Sequence, residues 1–215
     1  KNFGHKKVFD FHEKEISSKY SNFFNRVNKN KKIGVISSEF LSGNLYLNGG
    51  MDSKVYADRL KLIFPKAKIL IVIREQSSFL YSFYKHDISY NGGFWGIEEF
   101  LEPKWHFMRR SCFHPRFVLY FGLIKYYQEI FGKRNVLILP FELLKTEKNK
   151  FLIEMAKFLG LNYKKFFINK DPLNESRFIS TVYLQRMLNR FLTARRENTI
   201  RIPKSWDIVI NRKFF

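Results

Sequence analysis

The segment KILIVIREQSSFLYSFYKHDIS, from Lys68 to Ser89, decides the fold class. It begins with an aliphatic run, Ile69 to Ile73, that has no polar alternation. Such a run is typical of a strand in a parallel sheet that helices cover on both faces. Apolar residues then recur at three- and four-residue spacing, which predicts a helix with Ser77 or Ser78 as its N-cap. The segment therefore predicts an α/β protein.

The turn between this strand and this helix has the chemistry of a phosphate site. Arg74 ends the strand, and Ser82 lies on the first turns of the helix, eight residues later. A guanidinium, a hydroxyl and the free backbone N–H groups of a helix start together favour an anion. Each residue alone is more often a solvated arginine or a plain helix residue, so the prediction depends on the surrounding chain.

The preceding residues predict a second strand beside the first. Ile33 to Ile36 is the earliest predicted strand, and a helix capped by Asp52 or Ser53 follows it. Strand, helix and strand at this spacing predict a right-handed βαβ unit, whose two strands end at the same edge of the sheet. Glu39 and Arg74 are then expected to flank the crevice where open α/β sheets bind ligands.

The other predicted elements complete a three-layer α/β domain, with a parallel central sheet flanked by helices. They are helices at Ser18 to Val27, Phe117 to Phe131, Asn149 to Leu159 and Asn174 to near Arg196, and a strand at Asn135 to Leu139. The segment from Tyr90 to Pro115 has little periodicity and is expected to form a lid or wall facing the substrate. The length of 215 residues suits a single domain, residues 1–215.

Composition restricts the classes of function. Hydrophobic residues make up 45% of the chain, which contains 25 Phe, so a disordered basic tail is excluded. The net charge of +20 favours an anionic partner, such as nucleic acid, an acidic glycan, a phosphorylated cofactor or an anionic membrane surface. Because the lysines are scattered rather than banded, the charge permits such a partner without identifying it.

Cysteine and histidine usage predicts a protein without a metal site. Cys112 is the one cysteine, so neither an internal disulfide nor a cysteine-based metal site is expected. Four histidines show no metal-ligand spacing: His5, His12, His106 and His114. No signal peptide or membrane-spanning run is apparent, so we expect a cytoplasmic protein, with peripheral contact to an anionic membrane as a further use of its charge.

Two segments together resemble the PAPS-dependent sulfotransferases. ILIVIREQSSFLYSFYKH, residues 69–86, resembles the strand and helix that bind the 3′-phosphate, in which a Ser follows the strand-ending Arg by eight residues. YYQEIFGKRNVLILPFELLKTEKNKFLIEMAKFLGL, residues 126–161, resembles the next strand, its aromatic–acid–Leu turn and a helix that ends in Phe-Leu-Gly. VISSEFLSG, residues 35–43, also resembles the strand-end segment of some bacterial members. The resemblance covers residues 33–161.

The resemblance implies a P-loop NTPase-like sulfotransferase fold and an activity. A sulfuryl group would pass from PAPS, leaving PAP, to a hydroxyl or amine of a carbohydrate or other small acceptor. Carried over, Arg74 and Ser82 would hold the 3′-phosphate, and Phe141 would pack near the adenine. Because the family uses Glu or His as the base that takes the acceptor proton, the candidates are Glu39 and His86, which lies one helical turn beyond Ser82.

The chain departs from the family at two places. Members open with a strand and a Gly–Thr/Ser-rich loop that, with a Lys, holds the 5′-phosphosulfate, and near the C-terminus they carry an Arg/Lys–Gly clamp. Neither sequence occurs in residues 1–215. We therefore expect either a form truncated at its N-terminus or a degenerate, non-catalytic homologue that binds anionic glycans.

Two other classes of function are weaker. A basic nucleic-acid-binding protein fits the charge, but no helix-turn-helix, RNP or zinc pattern supports it. A kinase or similar phosphate-binding enzyme would need a Gly-x-x-x-x-Gly-Lys motif, which the sequence lacks. The sequence identifies neither the acceptor nor the oligomeric state.

Overall fold

The computed structural model describes residues 13–29, 33–43, 45, 50–102, 115–162 and 179–191 of the 215-residue chain. Several positions discussed above lie outside the described residues: His5, His12, His106, Cys112 and His114. The same holds for residues 103–114 of the predicted substrate-facing segment and for the ends of the last predicted helix.

The described part of the chain contains eight α-helices and two β-strands. In chain order they are α1 (Glu13–Lys29), α2 (Ser53–Ile63), β1 (Ile69–Ile73), α3 (Gln76–Tyr90), α4 (Ile97–Leu101), α5 (Tyr120–Phe131), β2 (Val136–Pro140), α6 (Phe141–Thr146), α7 (Lys148–Leu159) and α8 (Ile179–Phe191). Single 3₁₀ turns occupy Glu39–Ser42, Pro115–Val118 and Lys133–Asn135. Apart from the first predicted strand, the predicted elements are confirmed where they are described, with shifted ends.

β1 and β2 form a parallel, two-stranded sheet in the described part of the chain. Helices α3, α4 and α5 connect the two strands, as parallel pairing requires a long crossover. The arrangement confirms the α/β class. One face of β1 is less covered than its aliphatic sequence predicts, because Leu70 and Val72 are 38% and 46% exposed.

The prediction of a strand at Ile33 to Ile36 is wrong. This segment has no regular secondary structure, and the sheet of the described residues consists of β1 and β2. Ile33 and Val35 are 48% and 72% exposed, so their side chains do not contribute to a buried sheet. A strand exists only where a neighbour supplies hydrogen bonds, and an apolar run cannot specify that neighbour.

The chain forms two compact units, and the first comprises residues 1–71 and 119–138. In it α2 packs against α1 and α5 around a small apolar core. The buried hydroxyl of Tyr127 donates a hydrogen bond of 2.9 Å to the carbonyl of Leu41, which fixes the 3₁₀ turn that carries Glu39. Burial raises the pKa of Tyr127, so this hydroxyl remains a donor.

The second unit comprises residues 72–118 and 139–215, and in it α8 packs against α3. The face of α8 that is buried carries polar residues at four-residue spacing, Thr181, Gln185 and Asn189. The Asn189 amide donates to the carbonyls of Ile88 and Gly93, each at 2.8 Å, and accepts from Gln185 at 2.8 Å. This buried amide therefore ties α8 to the C-terminal end of α3.

We predict opposite outcomes for two substitutions on α8. Asn189→Ala leaves two buried carbonyls without their donor, so it should lower the free energy of unfolding by about 2–3 kcal/mol. Thr181→Val, two turns away, should be neutral or stabilising, because the buried Thr181 hydroxyl has no hydrogen-bond partner among the described residues. Urea unfolding of both variants tests the pair, and equal destabilisation would contradict it.

Candidate functional site

The N-terminus of α3 is capped by Glu75 rather than by Ser77 or Ser78, so the predicted N-cap is wrong. The Glu75 carboxylate accepts hydrogen bonds from the backbone N–H groups of Ser77 and Ser78, at 2.8 and 2.7 Å. The Glu75 side chain is longer than that of a serine, and because Glu75 lies one residue before the helix, its carboxylate reaches both amides. These bonds, chiefly the one from Ser78, hold the pKa of Glu75 below its usual range.

Three backbone amides of this turn are therefore already hydrogen-bonded. Besides those of Ser77 and Ser78, the N–H of Glu75 donates to a carboxylate oxygen of Glu142, at 3.0 Å. These three amides do not offer the free N–H groups that the sequence predicted for an anion, because two carboxylates use them. Side chains therefore matter more for an anion at this site than the sequence alone predicted.

Arg74, directly after β1, is held in place by two neighbours. Its Nε and Nη2 donate to the Ser78 hydroxyl, at 3.1 and 2.7 Å. Its guanidinium carbon lies 5.6 Å from the centre of the Phe141 ring, within the range of a cation–π contact. The structure thus brings together two residues predicted from sequence, Arg74 and Phe141, and adds Ser78.

Phe141 begins α6, directly after β2. The Lys145 ammonium lies 5.0 Å from the centre of the same ring, so two cations contact Phe141. Glu142, the next residue, makes the bond to the Glu75 N–H described above. Hydrogen bonding between the two strand ends thus fixes the position of the Phe141 ring relative to Arg74. Sequence analysis missed Lys145, and it identified Glu142 only as the acid of the aromatic–acid–Leu turn, without its bond to Glu75.

Ser82 and His86 follow Ser78 along α3 at four-residue spacing. Residues four apart lie on one side of a helix, so these side chains form a row that leads away from Arg74. Both are half-buried. The His86 ring lies 4.6 Å from the ring of Tyr90, one turn further on. Their roles in binding and catalysis remain predictions.

Lys85 is a further cation of α3 that sequence analysis missed. It is half-buried, and its ammonium lies 5.0 Å from the centre of the Tyr81 ring. Burial, followed by the charge of the Arg74 guanidinium, lowers the pKa of Lys85. Lys85 follows Ser82 by three residues, which places both side chains on one side of a helix, and this spacing could have identified Lys85 from the sequence.

Glu39 is the first residue of the 3₁₀ turn Glu39–Ser42 and is exposed. It does not follow a strand, because the predicted strand before it is absent from the described residues 33–38. The turn belongs to the first unit, whereas Arg74 belongs to the second. The assignment of Glu39 as a base therefore remains a prediction.

Metal-ligand and membrane-spanning features are absent from the part of the chain that the structure describes. No group of three or more His, Cys, Asp or Glu side chains there could hold a metal ion. None of the described helices is both long enough and apolar enough to cross a bilayer.

A comparison with known protein families identifies the family to which this fold and site belong. The α/β fold and the Arg74 site at the end of β1 define a candidate anion-binding protein, and a model of the sulfotransferase domain family matches residues 55–190. The match covers more than half of the chain and includes Arg74, Ser82, His86 and Phe141, whereas Glu39 precedes it. The chain belongs to the sulfotransferase domain family.

A solved structure supports the same fold. The crystal structure of a sulfotransferase from Alicyclobacillus acidocaldarius matches with a TM-score of 0.53 and 22% sequence identity. The match covers 74% of this chain and 61% of that chain, so this chain spans about three-fifths of that protein's length. At this identity the likeness concerns the fold. No curated protein matches significantly.

We predict that the Glu75 cap makes stability depend on acidity. Since the folded-state pKa of Glu75 is lowered, the cap contributes stability above the ordinary glutamate pKa of about 4.3 and loses it as the pH falls through the lowered value. Glu75→Gln should lower the urea midpoint at pH 7, and its difference from the unchanged protein should shrink below pH ~4.

Glu129→Gln is the matched control, because its exposed carboxylate lies 3.9 Å from the Lys125 ammonium and caps no helix. An exposed pair of this kind contributes little to stability. Equal effects of the two substitutions at pH 7 would show that the Glu75 cap is not important.

Proposed function

We propose that the protein is a PAPS-dependent sulfotransferase that moves a sulfuryl group to a hydroxyl or amine of a small acceptor. The single observation that carries the proposal is the fixed position of Arg74 at the end of β1, within the segment that matches the family. Two hydrogen bonds to Ser78 and the contact with Phe141 orient a half-buried guanidinium before any ligand arrives. Preorganisation of this kind lowers the entropy cost of binding.

The donor groups fit a 3′-phosphate. Arg74 offers a planar guanidinium that suits phosphate geometry, and the Ser82 hydroxyl on α3 is a second donor. Phe141 offers an apolar ring beside the guanidinium, where an adenine could pack. In this proposal all three contacts come from side chains, and three backbone amides of the turn already bond to carboxylates.

The transfer itself needs a base as well as a donor. When bound, PAPS supplies the sulfuryl group. The acceptor oxygen or nitrogen would take this group from the phosphate oxygen of PAPS, and PAP would leave. The base, Glu39 or His86, takes the proton of the acceptor hydroxyl.

A carbohydrate is the acceptor that we favour. The support is the net charge of +20, because a strongly basic protein attracts acidic glycans. A non-catalytic domain that binds anionic glycans would have the same charge. Catalytic turnover distinguishes the two.

The proposal predicts that PAP binds and that AMP, which lacks the 3′-phosphate, binds far more weakly. Arg74→Ala should weaken PAP binding by about 2 kcal/mol, the scale of a charge-assisted hydrogen bond to phosphate. Arg134→Ala is the control, because Arg134 is an exposed residue of the 3₁₀ turn Lys133–Asn135. Calorimetric titration measures all three proteins, and equal PAP affinity in folded Arg74→Ala would remove Arg74 from the site.

The base is tested separately by turnover of the intact natural protein. If Glu39 is the base, Glu39→Gln should lower kcat by on the order of 100-fold and leave PAP affinity unchanged, since the base acts only on the acceptor. His86→Gln should then retain most of the turnover. The reverse pattern would assign the base to His86, and full activity in both variants would exclude both residues.

A further inference from the structure

Lys85 and Arg74 are two cations of one unit whose charges influence each other. Lys85 lies on α3, seven residues after Ser78, which binds Arg74. Helical side chains lean towards the N-terminus of their helix. The Lys85 side chain accordingly contacts the ring of Tyr81, one turn earlier. This direction takes its ammonium towards the turn that carries Arg74.

The lowered pKa of Lys85 agrees with a Lys85 side chain that points towards Arg74. Burial lowers the pKa of Lys85 most, and the positive charge of Arg74 lowers it further. Two like charges in a partly desolvated place raise the free energy of the unliganded protein. The contact between Lys85 and the Tyr81 ring offsets part of this cost, and an anion that both cations bind would offset more.

We propose that Lys85 is a second cation of the anion site and that, together with Arg74, it makes the site selective for a doubly charged phosphate monoester. The inference rests on the proposed function, because it concerns the same site. A phosphate monoester carries a charge of about −1.5 to −2 at pH 7, which a single guanidinium does not neutralise. Arg74 then supplies the directional contact and Lys85 the additional charge.

Ser82 lies between the two cations in sequence. It follows Ser78 by four residues and precedes Lys85 by three, so the three side chains share one side of α3. A phosphate that accepts from the Ser82 hydroxyl would therefore lie along the row of side chains that leads from Arg74 to Lys85.

The test compares two replacements of Lys85 with a control. Lys85→Met keeps the length and the aliphatic stem but removes the charge, whereas Lys85→Arg keeps the charge. Lys157→Met is the control, because Lys157 is exposed on α7 and pairs with Glu154 at 3.2 Å. Calorimetric titration with PAP and with AMP at pH 7.5 gives the ratio of the two affinities, and thermal unfolding identifies any variant that does not fold.

We expect Lys85→Met to weaken PAP binding about tenfold and to leave AMP binding unchanged, so that selectivity for the 3′-phosphate falls. Lys85→Arg and Lys157→Met should keep the original ratio. Unchanged PAP affinity in folded Lys85→Met overturns this inference and leaves the proposed function intact. An unaltered protein that binds PAP no better than AMP overturns both. If Lys85→Met does not fold, Lys85→Gln replaces it, because it also removes the charge, and unchanged PAP affinity in folded Lys85→Gln likewise overturns the inference.

Discussion

The parallel pairing of β1 with β2 is the constraint on which the proposed site depends. Parallel neighbours end at the same edge of a sheet, so the residues that follow the two strands meet there. Arg74 follows β1 and Phe141 follows β2, and they form a cation–π contact. The hydrogen bond from the Glu75 N–H to the Glu142 carboxylate joins the same two turns. Without the pairing, residues 67 positions apart in the chain would not define one site.

The acidic and the basic side chains at this edge of the sheet have different roles. Carboxylates bind backbone N–H groups, as Glu75 caps α3 and Glu142 accepts from the Glu75 N–H in the turn after β1. In the proposed site, side-chain cations bind the anion. Helix starts often bind phosphate through free N–H groups, but an internal carboxylate at the same amides competes with that mode. In the proposed site the guanidinium of Arg74 is therefore the central group, and we expect its orientation by Ser78 to matter more than the helix dipole.

Membership of the sulfotransferase domain family and the local geometry support each other without being the same observation. The family match covers the strand, the helix and the second strand end, whereas the contacts of Arg74 come from the structure of this chain. The chain spans about three-fifths of the length of the bacterial sulfotransferase that it resembles in fold. The use of PAPS, the roles of the site residues and the acceptor belong to the proposal, whereas the chain belongs to the sulfotransferase domain family and has an α/β fold.

The sequence by itself determined the features that short-range patterns encode. The apolar run specified β1, the three- and four-residue spacing specified α3, and Gly160 in a left-handed conformation ends α7 as expected. Tertiary structure decided everything that needs a distant partner. Among the described residues it left Ile33 to Ile36 without a neighbouring strand, and it placed the Glu142 carboxylate, which follows β2, against the backbone that follows β1. Pairing and charge contacts depend on distances in space, which local spacing along the chain does not contain.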